Sequence, residues 1–215
     1  MTKKDTFLKI KEIFDGIYSE ADCTLDYTKA WELLVATQLA AQCTDARVNL
    51  VTPALFERYP TPRDFADADI PELESLIHST GFFRNKAKNL KACGKMICEE
   101  YAGEVPDTME ELLRLPGVGR KTANLVLGDI FGKGGVVVDT HAGRIARRIG
   151  FTKNTDPAKV EADLAKIIPL ENQTRFCHQL VLHGRDVCTS RSPKCGACPI
   201  KEYCKQTGIK KAAGN

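Results

Sequence analysis

Leu115-Pro116-Gly117-Val118-Gly119-Arg120-Lys121-Thr122-Ala123 reads as the end of one helix, a tight turn and the start of a second helix. Leu112 and Leu113 supply the apolar positions before the turn, and Leu125, Val126 and Ile130 those after it. Gly117 and Gly119 let the backbone turn sharply and come close to a ligand with no Cβ in the way. The amides at the new helix start then face outward as an anion site, which a nucleic-acid phosphate would suit. Glycine turns between helices are also a common structural device, so the motif alone leaves a purely structural role open.

On either side of this turn the pattern stays helical. Apolar residues recur at three- and four-residue spacing in Phe7, Ile10, Phe14 and Ile17, and again in Trp31, Leu34, Val35 and Leu39. Asp69-Ile70-Pro71 and Asp156-Pro157 are helix starts, and Asp107-Thr108-Met109-Glu110 has the look of a capping box. Val136-Val137-Val138 is the one strand-like run and is too short to found a sheet. The expected fold class is all-α. With 215 residues, 43% of them hydrophobic and 27% charged, the chain has material for one large core or two small ones. The chain contains no run of about 18 apolar residues, so no membrane-spanning helix is expected. The start, Met1-Thr2-Lys3-Lys4-Asp5, lacks a signal-peptide apolar stretch, which predicts a cytosolic protein with reduced thiols.

The net charge of +3 is spread unevenly. Residues 114–153 hold eight Lys/Arg against two acids, as do residues 175–215, whereas residues 1–113 hold thirteen against twenty. Two basic tracts on a nearly neutral chain suit an anionic polymer, although two solvated helical faces would have the same composition.

Five of the nine cysteines (Cys23, Cys43, Cys93, Cys98 and Cys177) are scattered through helical segments and read as small buried hydrophobes. The other four follow Cys188-x6-Cys195-x2-Cys198-x5-Cys204. Four thiolates within so short a segment, punctuated by Pro193, Gly196 and Pro199, can close around a compact metal centre. Zinc takes the same ligand set, usually through two Cys-x2-Cys hooks, and only Cys195 and Cys198 form one here. An iron–sulfur cluster accommodates the longer arcs, so spacing favours the cluster and leaves zinc as the rival. Arg191 and Lys194 lie between the ligands, where cations can meet phosphates or offset the cluster's charge.

Lys121 stands near the start of the second helix of the turn. Eighteen residues later, Val138-Asp139-Thr140-His141 ends an apolar run in a carboxylate that opens a helix containing Arg144, Arg147 and Arg148. Asp139 is there an N-cap, and a capping aspartate beside a basic helix can also be a catalytic carboxylate held in place.

These motifs, with Leu39-Ala40-Ala41-Gln42-Cys43-Thr44-Asp45 near the front, resemble the helix-hairpin-helix DNA glycosylases of the endonuclease III type. Their order and separations match over nearly the whole chain. The resemblance implies a [4Fe–4S] cluster on Cys188, Cys195, Cys198 and Cys204. It also implies two helical lobes with a DNA-binding cleft between them. Residues 25–132 would form the central lobe, ending in the hairpin, and residues 1–24 plus 133–215 the lobe with the cluster loop. The family's catalytic lysine falls on Lys121 and its aspartate on Asp139. A neutral lysine amine, its pKa lowered by burial and by cations such as Arg120, would attack the sugar C1′ and form a Schiff base. β-Elimination would then cut the strand 3′ to the lesion.

The resemblance places Gln42 in the space left by the extruded base and Phe82, where the family often has leucine, as a second wedge. Gly117, Gly119, Arg120, Thr140, His141, Arg144, Arg191 and Lys194 are the expected further DNA contacts, with Gly143 allowing close approach to the strand. The partner implied is double-stranded DNA containing damaged pyrimidines or abasic sites, bound by a cytoplasmic, nucleoid-associated monomer. Adenine glycosylases of the same superfamily lack the lysine and carry a glutamate where this chain has Gln38. A non-enzymatic iron–sulfur DNA-binding module would need the turn and the cations, but not Lys121 and Asp139 together.

Overall fold

The computed structural model describes residues 1–209. Eleven α-helices occur among them: α1 (Lys3–Ile17), α2 (Ala30–Leu39), α3 (Asp45–Arg58), α4 (Pro62–Asp67), α5 (Ile70–Ile77), α6 (Phe83–Glu100), α7 (Met109–Arg114), α8 (Arg120–Asp129), α9 (Thr140–Ile149), α10 (Pro157–Ala165) and α11 (Leu170–Asp186). No strand is found among the described residues, and Val136–Val138 are irregular. No helix among them is long and apolar enough to cross a membrane.

Most starts are written in the local sequence. Thr44, Thr61, Asp69, Asp139 and Asp156 are N-caps whose side chains accept a backbone N–H in the first turn. At α7 the cap is Thr108, which accepts from Glu111 N, while the Glu111 carboxylate accepts from the Thr108 hydroxyl at 2.6 Å. The cap is thus Thr108, one residue later than the expected Asp107, and Glu111 answers its hydroxyl and not its backbone N–H, so the pair is a side-chain cap and not a full capping box.

Two compact units form. One is Cys23–Gly132, and the other joins Met1–Asp22 to the chain from Lys133 onward. In the first, α2 is the central helix: Trp31, Leu33, Leu34, Val35, Ala36 and Leu39 are all buried. A helix apolar nearly all round must be enclosed on all sides, and α3, α6 and α8 pack against it. α4 lies so close to α6 that a Cβ on Gly94 would come within 2.6 Å of Pro62 O. Trp31, Phe65 and Tyr59 form an aromatic cluster with ring centroids 5.1 and 5.4 Å apart.

In the other unit α9 packs on α10 and α11. Phe7 of α1 meets Phe176 edge-on at 5.0 Å, and Phe14 lies 5.9 Å from the same ring. Ile17, which the periodicity of α1 places in the core, is 52% exposed because the helix ends there. Of the five scattered cysteines only Cys93 and Cys177 are buried; Cys23, Cys43 and Cys98 are half-buried.

Candidate active site and metal centre

The glycine turn links α7 to α8. Gly117 has φ +79°, and a Cβ there would lie 2.5 Å from Gln38 Oε1 and 2.9 Å from Asn89 Cβ, so the residue is fixed by backbone and space alike. Gly119 is the N-cap of α8 with φ −104°, and a Cβ there would meet nothing within 4 Å. No side chain caps α8, which leaves its first amides to an outside acceptor. Arg120 and Lys121 are exposed, and Lys121 is the second residue of the helix. The burial expected for Lys121 from the sequence is therefore not supplied by the chain itself. Beneath the turn, Gln38 is buried; its Nε2 lies 3.6 Å from Cys93 Sγ, and its Oε1 has no hydrogen-bond partner among the described residues.

Two other residues of this unit hold unusual backbone. Gln42, in the turn after α2, has φ +56°, and Phe82, the N-cap of α6, has φ +48°. Both are exposed, Phe82 at 63%, so it is no core aromatic. Left-handed backbone is uncommon for residues other than glycine and costs of order 1–3 kcal/mol. Between their segments lies Lys86, which no sequence motif singles out. It is buried, and its Nζ donates to Leu39 O at 2.7 Å and Thr80 O at 2.8 Å. Burial lowers its pKa, opposed by the nearby Cys43. The only signal in the sequence is a lysine spaced among Phe83, Ala87 and Leu90, on the apolar side of α6.

In the other unit, Asp139 is half-buried and its Oδ1 accepts from Ala142 N at 2.7 Å, which holds the carboxylate in place at the start of α9. Thr140 is exposed and His141 half-buried, with Nδ1 3.2 Å from Arg144 Nη2. Arg144 turns inward: Nη2 donates to Cys188 O at 2.9 Å and Gly184 O at 3.1 Å. Gly143 is buried against Val138 and Arg147, so it does not open the helix to a strand outside.

Cys188, Cys195, Cys198 and Cys204 line one partly open cavity with Arg148, His183, Ile145 and Ile200. All four are free thiols. Arg148 Nη1 donates to Cys188 Sγ at 3.2 Å, Gln206 N donates to Cys204 Sγ at 3.4 Å, and His183 Nε2 lies 3.7 Å from Cys198 Sγ. Burial pushes the thiols of Cys198 and Cys204 up, and the neighbouring cysteines add to it. Such a set ionises when a metal centre takes its charge, and four sulfurs ringed by donors in one cavity fit an iron–sulfur cluster. His183 is fully buried, held by Tyr18 Oη at 3.1 Å from Nδ1, with its pKa lowered to about 4 by burial. No ligand spacing marks it in the sequence; its place on the cavity wall comes from the fold. Arg191 and Lys194 are exposed on the loop, and Lys194 lies 3.6 Å from Asp186.

Residues 35–170 match the family model of the HhH-GPD superfamily base excision DNA repair proteins. Residues 188–204 match that of the iron–sulfur binding domain of endonuclease III. The chain belongs to the endonuclease III family. It is 53% identical to endonuclease III of Synechocystis sp., over 94% of this chain and 93% of that protein. It is 43% identical to that of Bacillus subtilis, over 88% and 87%. A solved non-covalent endonuclease III–DNA complex superposes with a TM-score of 0.90 at 41% identity, over 96% of this chain and 97% of that one. A trapped endonuclease III–DNA covalent intermediate matches equally well. As a member of the endonuclease III family the protein is a base-excision repair enzyme, a DNA N-glycosylase with abasic-site lyase activity. Its partner is DNA and its cofactor a [4Fe–4S] cluster.

Proposed function

We propose that the protein removes oxidised pyrimidines from duplex DNA and cuts the strand 3′ to the resulting abasic site through a Schiff base on Lys121. The observation that carries this reading is Lys121 itself: an exposed amine at the second position of a helix whose start is left uncapped beside a glycine turn. Phosphate held by the first amides of α8, after Gly119, and by Arg120 would bring the strand to the amine. Because Lys121 is exposed, its desolvation would come from the DNA that covers it.

The lysine Nζ attacks the sugar C1′ as the base leaves with the bonding electrons, and Asp139, fixed by its cap hydrogen bond, stabilises the positive charge on the sugar. Ring opening leaves an imine on Nζ. Loss of a C2′ proton then expels the 3′-phosphate, and water returns the lysine. Gln42 and Phe82, both exposed on left-handed backbone, would fill the space of the extruded base. Thr140, His141, Arg191 and Lys194 would contact the strand. Arg144 would act indirectly, its donors being spent on Gly184 and Cys188.

The four cysteines 188, 195, 198 and 204 would hold the cluster, whose chemistry here is to cross-link the loop that carries Arg191 and Lys194. A cytoplasmic monomer acting at the nucleoid is the corresponding setting. Borohydride trapping on a duplex containing thymine glycol tests the reading. Wild-type protein is expected to form a covalent DNA adduct and Lys121→Ala none; equal adduct from both, or none from wild type, removes Lys121 from the reaction.

A further inference from the structure

Lys86 lies in the first turn of α6, where a lysine ordinarily extends into water, yet it is only 7% exposed. Its ammonium bonds two backbone carbonyls from different segments. Leu39 is the last residue of α2 and stands three positions before Gln42. Thr80 closes the 3₁₀ turn His78–Thr80 and stands two positions before Phe82. Both carbonyls sit at helix ends, where a backbone oxygen has lost its helical partner. Both downstream residues hold left-handed backbone, which persists only where the surroundings impose it. One buried donor thus ties together the two segments that present the exposed side chains of Gln42 and Phe82.

We propose that Lys86 is a positioning residue: by bridging Leu39 O and Thr80 O it holds Gln42 and Phe82 at a fixed separation, so that both enter the duplex in one step as the base is extruded. The proposal rests on the reading of Gln42 and Phe82 as the residues that fill the duplex. Without the bridge each segment orders separately on binding, and that entropy falls on the extrusion step, before any bond is made or broken.

The test uses the full-length protein with its cluster and a thymine-glycol duplex carrying 2-aminopurine beside the lesion, whose fluorescence rises on unstacking. Lys86→Met keeps the length and apolar stem and removes the donors. Its fluorescence change is expected to fall at least about fivefold and single-turnover base release about tenfold, with DNA affinity within about twofold of wild type. Lys86→Gln, whose amide reaches one carbonyl, is expected to lose about half the change, and it takes the place of Lys86→Met if circular dichroism shows the latter unfolded. A wild-type fluorescence change in the folded variant overturns the proposal. Gln42→Ala and Phe82→Ala separate it from its premise. If both leave the change at the wild-type level, the insertion reading fails. If they lower it and the Lys86 variant does not, the role of Lys86 alone is lost.

Discussion

Gly117 and Gly119 stand two residues apart and answer to different constraints. Gly117→Ala would force a Cβ onto Gln38 Oε1 in a left-handed backbone, and a loss of about 1–3 kcal/mol in urea denaturation is expected. Gly119→Ala meets open space at an ordinary φ, so stability should change by less than about 0.5 kcal/mol, while a gel-shift assay shows weaker DNA binding. Asp139 separates in the same way. Asn caps helices as well as Asp does, so Asp139→Asn should melt within a few degrees of wild type. Its base release should still fall by about two orders of magnitude or more, because the carboxylate's charge is gone. Equal losses of stability and activity would make Asp139 a cap and nothing else.

At the scale of the helix, α9 turns two of its arginines inward. The basic composition of the segment reads as a face for DNA, yet Arg144 and Arg148 point into the chain. Arg148 donates to Thr189 O at 2.7 Å, Ser190 O at 2.8 Å, and both the carbonyl and the sulfur of Cys188. Arg144 takes Gly184 O and Cys188 O. Together they satisfy the carbonyls at the end of α11 and the start of the cysteine loop, which no regular helix supplies. Arg148→Ala removes this donor from Thr189 O, Ser190 O and Cys188 Sγ, while Cys188 O and Gly184 O keep Arg144. The cluster's visible absorption near about 400 nm is expected to bleach several-fold faster in air than in wild type, with far-ultraviolet circular dichroism unchanged. A wild-type bleaching rate would show that the loop holds itself.

At the scale of the whole molecule, the segment from Cys188 to Cys204 contains only two short 3₁₀ turns, Cys195–Ala197 and Lys201–Tyr203. With so little regular structure, its order is expected to depend on the cluster as well as on Arg144 and Arg148. Removing the cluster by oxidation should unfold this loop and abolish specific DNA binding, while helicity falls by no more than roughly a tenth. The unit Cys23–Gly132, with α2 enclosed in its own apolar core, should keep its cooperative melt. Loss of the whole helical signal with the cluster would show that the loop supports more than itself.

Much of the architecture is legible in the chain because it is local. Caps at Thr44, Thr61, Asp69, Asp139 and Asp156 act within four residues, and the periodicity of α2 reports a single helix. The glycine turn and the cysteine spacing are equally short-range, and they carry the family. Burial and long-range pairing are not legible, because each depends on residues far away in the chain. Lys86 draws no attention in the sequence; its role comes from Leu39 O and Thr80 O, brought to it from 47 and 6 residues away. Arg144 reads as a DNA contact, and Arg148 as part of the same basic face, until Cys188 arrives from 44 and 40 residues away. His183 carries no ligand spacing until Cys198 folds back onto it. The sequence by itself determined the helices, the turn and the spacing of the four clustered thiols, since these are set by neighbours in the chain. Only the tertiary structure decided which cations stay in water and which are spent inside, because desolvation depends on everything that packs around a charge.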